Sequence, residues 1–277
     1  MEKFSVLMSI YKNEKANFLR ESLDSVLNNT AKPDEIIMVK DGPLPQTLED
    51  VLNDYQRNTG LFHFVIHKEN LGLGLALRDG LLACKNELVA RMDTDDICSE
   101  ERFEKQLTYL KNHSNITVVG SNVEEFSIDW HHPDQLVKYP KSNRDIITFA
   151  KKRNPMRHPA VMFRKSAVLS SGNYRHFLWF EDYDLCIRML LNKYEMFNIQ
   201  EVLTYCRADK KLFQRRGGVN YLKQDIRFQK FMLNSGFINI RQFLFNCTVR
   251  SIVRVMPNSL REFIYKNFLR SEVHCQQ

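Results

Sequence analysis

No stretch of this 277-residue chain reaches the roughly 18 consecutive apolar residues that a membrane-spanning helix needs. The apolar run at the start, Phe4 to Ile10, is too short for a signal h-region, and no small-residue cleavage site follows it. The expectation is a cytoplasmic protein whose membrane contact, if any, is peripheral. Cysteines stand at 84, 98, 186, 206, 247 and 275, with no C-x-x-C pair and no framework of close spacings. That argues against a disulfide scaffold or a thiolate zinc site and fits free thiols in a reducing compartment. Internal repeats and low-complexity linkers are also lacking, and with 43% of residues apolar, disorder is excluded in favour of one large core.

What is present is an uneven charge. Residues 207 to 277 hold 14 Lys and Arg against 4 Asp and Glu, whereas residues 1 to 206 hold 26 against 29. The formal charge of +7 therefore belongs to the tail. A segment of that kind seeks phosphates, of nucleic acid or of an anionic lipid surface.

Through the first half, apolar runs at Phe4 to Ser9, Glu35 to Val39, Phe62 to His67, Leu88 to Met92 and Thr117 to Gly120 read as strands. Several are apolar without alternation, as strands buried on both faces are. Between them Leu19/Leu23/Val26/Leu27, Leu48/Val51/Leu52/Tyr55 and Phe103/Leu107/Leu110 keep the spacing of amphipathic helices. Such alternation predicts an α/β fold: a mostly parallel nucleotide-binding sheet flanked by helices, with ligands at the carboxyl ends of the strands. Further on, Asp182 to Asn192 reads as a helix and Tyr194 to Arg207 as two short strands. Residues 218 to 234 and 240 to 270 read as helices, the second broken at Pro257. The expected division is residues 1–215 as one domain, with halves 1–120 and 121–215, and 216–277 as a basic helical extension.

At the end of the fourth strand stands Asp93-Thr94-Asp95-Asp96. A hard cation such as Mg²⁺ or Mn²⁺ is held by one or two carboxylates together with substrate phosphate oxygens, and a strand end fixes carboxylates firmly enough for this. Acids there would also serve simply to start the next helix. Gly72-x-Gly74 suggests a dinucleotide fingerprint, but the third glycine is missing: position 77 is Leu.

Four strand ends stand in order: Ser5 to Glu14, Ile36 to Gly42, the Asn70 to Gly80 stretch, and Val89 to Asp96. In that order and spacing they resemble glycosyltransferase family 2 with its GT-A fold, over roughly residues 4 to 210. The resemblance implies that Tyr11 and Glu14 line a base and ribose pocket and that Asp41 accepts a hydrogen bond from uracil. Asp93 would lie by the ribose and Asp95 would ligate the metal, with Asp96 as its neighbour or as an alternative ligand. Arg78 would reach phosphate or hold the acidic loop, and the glycines would let backbone pass close to the donor. Arg215 or Arg216 would close over the diphosphate. His158 reads equally as a turn residue and as part of the site.

Phe180-Glu181-Asp182-Tyr183-Asp184 falls where the family carries its Glu-Asp pair. One carboxylate must take the proton of the acceptor hydroxyl; Asp182 is assigned this role, with Glu181 orienting it or contacting the acceptor. One base and one metal-bound leaving group imply inversion. The DxDD loop with the Glu-Asp pair is similar to the O-antigen galactosyltransferase type, which implies a UDP-galactose donor and an undecaprenyl-diphosphate-linked saccharide acceptor. A Gln-x-x-Arg-Trp element is missing, since Gly217 follows Arg216, and this argues against a processive polysaccharide synthase.

Between 241 and 270, Arg241, Arg250, Arg254, Arg261, Lys266 and Arg270 alternate with aromatic and aliphatic residues. That pattern suits an interfacial helix on the inner face of an anionic membrane, and equally a helix pair packed on the domain. Two other classes compete. A nucleotidyltransferase needs a glycine-rich, Arg-containing loop after its first strand, which Ser9 to Asn13 lacks. A nucleic-acid binder needs its basic residues on a reading element, whereas here they follow an apolar stripe; no nucleic-acid partner is expected.

Overall fold

The computed structural model describes residues 2–208, 218–255 and 271–272. Strand and helix alternate through β1 (Phe4–Ile10), α1 (Ala16–Leu27), β2 (Glu35–Lys40), α2 (Gln46–Thr59), β3 (Phe62–Ile66), α3 (Leu73–Ala83) and β4 (Leu88–Arg91). The short β5 (Ile97–Cys98) and α4 (Arg102–Asn112) lead to β6 (Ile116–Phe126), β7 (Gln135–Val137), α5 (Asn143–Ala150), β8 (Met162–Arg164) and α6 (Lys165–Ser170). Then come α7 (Glu181–Leu191), β9 (Glu195–Arg207), α8 (Val219–Asn234), α9 (Ile240–Val255) and β10 (Ser271–Glu272).

The sheet runs β10-β7-β6-β8-β4-β1-β2-β3. From β4 to β3 neighbouring strands are parallel, so the loops after β1, β2, β3 and β4 all emerge at one edge. β8 is antiparallel to both β4 and β6. β1 and β2 are apolar on both faces because helices cover both, one core forming on either side of the sheet. β3 is half exposed, as an edge strand is.

Two sequence expectations change. The second half of β6 carries Ser121, Asn122, Glu124 and Glu125, which show no apolar alternation, so the strand expected over 117–120 continues unannounced to Phe126. Tyr194 to Arg207 holds one thirteen-residue strand rather than two, because β9 follows β6 in parallel through register shifts near Ser121 and Asn122 that absorb the irregular stretch.

The helices that follow pack on the segment that leads into α7. Phe228 of α8 is fully buried, stacks on Phe180 at 5.0 Å and meets Phe177 edge-on at 5.5 Å. Asp225 is completely buried between Arg250 (2.6 Å) and Arg254 (3.1 Å) of α9. These two arginines, grouped by sequence with the interfacial set, are thus partners of a buried carboxylate. α9 is described to Val255; Pro257 and the rest of the expected second helix lie outside the described residues.

Candidate active site

The acidic loop continues directly from β4. Asp93, Asp95 and Asp96 bring one carboxylate oxygen each to within 4.8 Å of one another. Several contacts hold the loop from outside it. Thr94 Oγ1 donates to Glu14 Oε2 (2.6 Å), tying the loop after β1 to the loop after β4. The Arg207 backbone N–H donates to Asp96 Oδ1 (2.8 Å), and its guanidinium Nε donates to the Asp95 carbonyl (3.1 Å). Beneath the loop the buried Arg102 donates to the Arg91 carbonyl at 2.7 Å.

This crowding has an electrostatic signature. Burial, then Asp96, Asp93 and Glu14, push the Asp95 carboxyl up to about 9. Burial and Asp93 push Asp96 up to about 7, although Arg157, the Arg207 N–H and Arg91 work against the rise. Carboxylates that repel one another this strongly hold a proton or need a cation among them. Three hard oxygen donors in mutual reach fit a divalent cation.

Arg91, the last residue of β4, is fully buried. Its Nη2 pairs with Asp93 Oδ1 at 2.5 Å, and its charge lowers the proton affinity of Asp96, Glu181 and Asp182. With Arg157, which lowers Asp96 and Asp182 as well, it is a cation shared by the two acidic groups. Sequence reasoning overlooked it, although the signal was visible: an arginine closing a strand otherwise apolar on both faces.

Glu181 and Asp182 open α7. Asp182 Oδ2 accepts from Asn154 Nδ2 at 2.7 Å, and Oδ1 accepts from the Tyr183 N–H at 2.7 Å. Burial raises the Asp182 carboxyl, against the Tyr183 N–H, Arg91 and Arg157. Burial and then Asp182 bring Glu181 up to about 7. Asp184 plays a different part: fully buried, it pairs with Arg175 at 2.5 Å and Arg188 at 2.9 Å and braces the preceding loop. Asn154 and Arg157 come from a loop whose sequence carries no sign of either role.

The 175–181 segment lies against α3. A Cβ at Gly74 would meet the Arg175 carbonyl oxygen at 2.5 Å and Glu181 Cβ at 3.2 Å, so this glycine admits the segment that leads into α7. At Gly72, φ is +90 and a Cβ would find open space.

The other expected donor residues divide. Tyr11 is exposed at the end of β1, and its carbonyl accepts from the Glu14 N–H at 3.1 Å. Asp41 is buried; its two oxygens accept from the Leu71 and Gly72 N–H groups at 2.9 and 3.0 Å, and His67 Nδ1 lies 3.0 Å from it. His67 Nε2 meets Asp79 at 3.2 Å, and Asp79 meets Arg78 Nε at 2.8 Å. Asp41 therefore tethers the turn entering α3, and Arg78 ends a chain of polar contacts that runs from it through His67 and Asp79. His158 forms a 3-10 turn and sits 3.0 Å from the Tyr174 hydroxyl. Burial, Arg91 and Arg157 keep it neutral. Arg215 and Arg216 lie outside the described residues.

The sequence and the fold have known counterparts. The model of Glycosyl transferase family 2 matches residues 5–169. The amylovoran biosynthesis glycosyltransferase AmsE of Erwinia amylovora is 39% identical over 266 residues, 95% of this chain and 98% of that protein. The UDP-Gal:alpha-D-GlcNAc-diphosphoundecaprenol beta-1,3-galactosyltransferase of Escherichia coli is 37% identical over 268 residues, 97% of each. Among solved structures, S. aureus TarS 1-349 in complex with UDP-GlcNAc superposes with a TM-score of 0.68 at 17% identity, over 96% of this chain and 76% of that one. That last likeness concerns the fold. With the family's own pattern running through more than half of it and two such relatives along nearly its whole length, the chain belongs to glycosyl transferase family 2 and is a glycosyltransferase of GT-A fold.

Proposed function

We propose that this glycosyltransferase moves galactose from UDP-galactose, with inversion, onto a saccharide carried on undecaprenyl diphosphate during assembly of a bacterial surface polysaccharide such as O-antigen. The observation that carries the reading is Arg91, a buried cation paired with Asp93 at 2.5 Å whose charge also favours the ionised forms of Asp96, Glu181 and Asp182. It brings a set of carboxylates suited to a diphosphate's counter-ion and a set suited to a proton transfer into one field. The substrates are carried across from the E. coli relative, whose own name gives UDP-Gal and GlcNAc-diphosphoundecaprenol.

In this reading Asp182 takes the proton of the acceptor hydroxyl as that oxygen attacks the anomeric carbon, and the bond from that carbon to the UDP oxygen breaks on the opposite face. An α-linked donor then gives a β-linked product. Asn154 and the Tyr183 N–H hold the carboxylate in place, and Glu181 sets its field or meets the acceptor. Asp95, with Asp93 and Asp96, would hold Mn²⁺ or Mg²⁺, which supplies positive charge against the departing diphosphate. Tyr11, Glu14 and Asp93 face the nucleoside, Asp41 shapes the turn beside it through Leu71 and Gly72, and Arg78, Arg215 and Arg216 belong to the phosphate side.

Residues 1–215 form the transferase unit and 216–277 its basic extension, which meets the inner face of an anionic membrane. Supporting this, Ile240, Leu244, Phe245, Val249 and Ile252 are exposed along α9 with Arg241 among them. No helix among the described residues is long and apolar enough to cross a membrane.

The deciding experiment is single-turnover transfer from UDP-galactose to a short-chain GlcNAc-diphosphate lipid, with and without chelator, together with donor affinity by calorimetry. Asp182→Asn should lower turnover by roughly 10²- to 10⁴-fold with donor affinity nearly unchanged. Asp95→Ala should lose both. Normal turnover in Asp182→Asn would remove it as the base.

A further inference from the structure

Leu178 and Trp179, 43% and 42% exposed, stand one residue ahead of the Glu-Asp pair. On either side of them Phe177 and Phe180 are buried, and the Phe180 N–H closes onto the Phe177 carbonyl at 2.8 Å. Two buried phenylalanines thus pin a tight turn that turns the pair between them outward. Trp179 has φ +67, a left-handed backbone that bulky side chains rarely adopt. Such strain persists only where the surroundings impose it, and here it goes into presenting an indole to solvent.

The indole is not left loose. It stacks on Tyr221 of α8 with centroids 4.8 Å apart and planes 18° from parallel. Tyr221 is buried in turn, and the Arg254 guanidinium lies 4.4 Å from its ring centroid. Arg254 is itself fixed by buried Asp225. A column of Asp225, Arg254, Tyr221 and Trp179 therefore ends in a flat aromatic face backed by the protein on one side. Interior packing does not call for a stack that finishes in solvent.

We propose that Trp179 is the platform for the acceptor's terminal sugar, stacking on the apolar C–H face of a pyranose of the hexose or N-acetylhexosamine class and setting one ring hydroxyl toward Asp182, three residues on. The proposal rests on the reading of Asp182 as the base of glycosyl transfer. The ring belongs to the acceptor because the donor's groups gather at the loops after β1 to β4, whereas Trp179 leads into α7, which carries the base. An aromatic face excludes nothing by charge, so it fits a neutral sugar better than the diphosphate that follows it. Stacking also costs little ordering entropy, since the indole is already held.

The chain has two tryptophans, so Trp130→Phe leaves Trp179 as the sole indole reporter in the full-length enzyme. Titrating that variant with a short-chain α-GlcNAc diphosphate should change its fluorescence saturably, with a midpoint matching the acceptor KM. Trp179→Ala should raise the acceptor KM roughly tenfold or more. Its donor KM, and its slow hydrolysis of UDP-sugar without acceptor, should stay within about twofold of the parent. Trp179→Gly relieves the strained backbone and should be equally poor toward acceptor while folding at least as well. Trp179→Tyr should recover most of the loss. A saturable signal together with normal turnover in Asp182→Asn would uphold the platform and sink the base assignment. Normal transfer with unmoved fluorescence, or an unchanged acceptor KM in the Ala and Gly variants, would overturn the platform and leave the base assignment standing.

Discussion

Arg91 and Asp93 form an ion pair whose halves cost unequal amounts to remove. The Arg91 side chain is 1% exposed and that of Asp93 36%. Beyond its 2.5 Å contact with Asp93, Arg91 leaves Nε and Nη1 without a hydrogen-bond partner among the described residues. Removing one partner of a buried pair costs about 3–5 kcal/mol when it strands a buried charge. Asp93→Ala does this to Arg91. Because Asp96, Glu181 and Asp182 also feel that cation, the loss should fall at the lower end, about 3 kcal/mol. Arg91→Met removes the desolvated charge and its two unpaired donors together, and it leaves behind a carboxylate already partly in water. That carboxylate, 36% exposed, can be hydrated where a stranded arginine cannot, so the expected loss is smaller, within about 1 kcal/mol.

For a chain of this length each kcal/mol moves the melting point by roughly 2–4 °C. With chelator present throughout, Asp93→Ala should melt about 6–12 °C below the parent and Arg91→Met no more than about 4 °C below it. Turnover should separate from stability. Arg91→Met keeps every carboxylate but loses the charge that favours ionised Asp182 and Glu181, so the acid limb of its pH–rate profile should move to higher pH. Scanning calorimetry and a pH series of transfer rates check both halves. If Arg91→Met melts as low as Asp93→Ala, the buried arginine is a net stabiliser and the asymmetry argued from exposure is wrong.

Asn154→Ala removes a 2.7 Å hydrogen bond to the Asp182 carboxylate; bonds to charged groups are worth about 1.5–3 kcal/mol, so turnover should fall roughly ten- to a hundredfold with donor affinity unmoved, as calorimetry and single-turnover rates would record. Glu181 is an acid raised by folding, to about 7 from an ordinary 4.5, so its contribution to stability is full below about pH 4.5 and is lost as pH rises through 7. Glu181→Gln should abolish that slope in a melting-versus-pH series and move the acid limb of turnover to lower pH, since a charge repelling ionised Asp182 is gone; an unmoved limb would mean the two carboxyls do not interact. Gly74→Ala drives a Cβ into the Arg175 carbonyl oxygen, so it should cost about 1–3 kcal/mol and lower turnover by displacing the segment that carries Glu181, whereas Gly60→Ala, in open space but with a left-handed backbone, should cost about 1–2 kcal/mol in melting and leave turnover unchanged.

The parallel strands and their amphipathic helices were legible because burial on both faces of a strand and on one face of a helix leaves a periodic trace. β1, β2 and β4 came out within a residue or two of expectation. The Asp93 loop stood out for the opposite reason, since acids directly after an apolar strand contrast with their neighbours, whereas the Glu-Asp pair was picked out by its place in the family resemblance, acids at a helix start being ordinary. What escaped was whatever depends on pairing over long sequence distances. Asn154 meets Asp182 across 28 residues and Arg207 meets Asp96 across 111, and neither residue looks unusual where it stands. Asp184, the third acid at the start of α7, is closed off by Arg175 and Arg188, partners its local sequence does not announce.

The basic tail shows the same limit from the side of charge. Counting arginines in residues 207–277 suggests one surface with one purpose, yet the described ones divide by what faces them. Arg207 holds the acidic loop, and Arg250 and Arg254 neutralise Asp225 inside the protein. Neither task leaves those charges free to meet a phosphate surface, whereas Arg241 stands exposed among the apolar residues of α9. Because Arg254 also backs Tyr221, and Tyr221 backs Trp179, the helices that carry the tail's charge reach to within a few residues of Asp182. A buried carboxylate in α8 is therefore coupled to the position of the Trp179 indole: removing Asp225 strands two arginines and loosens the aromatic column above them. The physical link from the tail to the start of α7 thus runs through packing rather than through net charge.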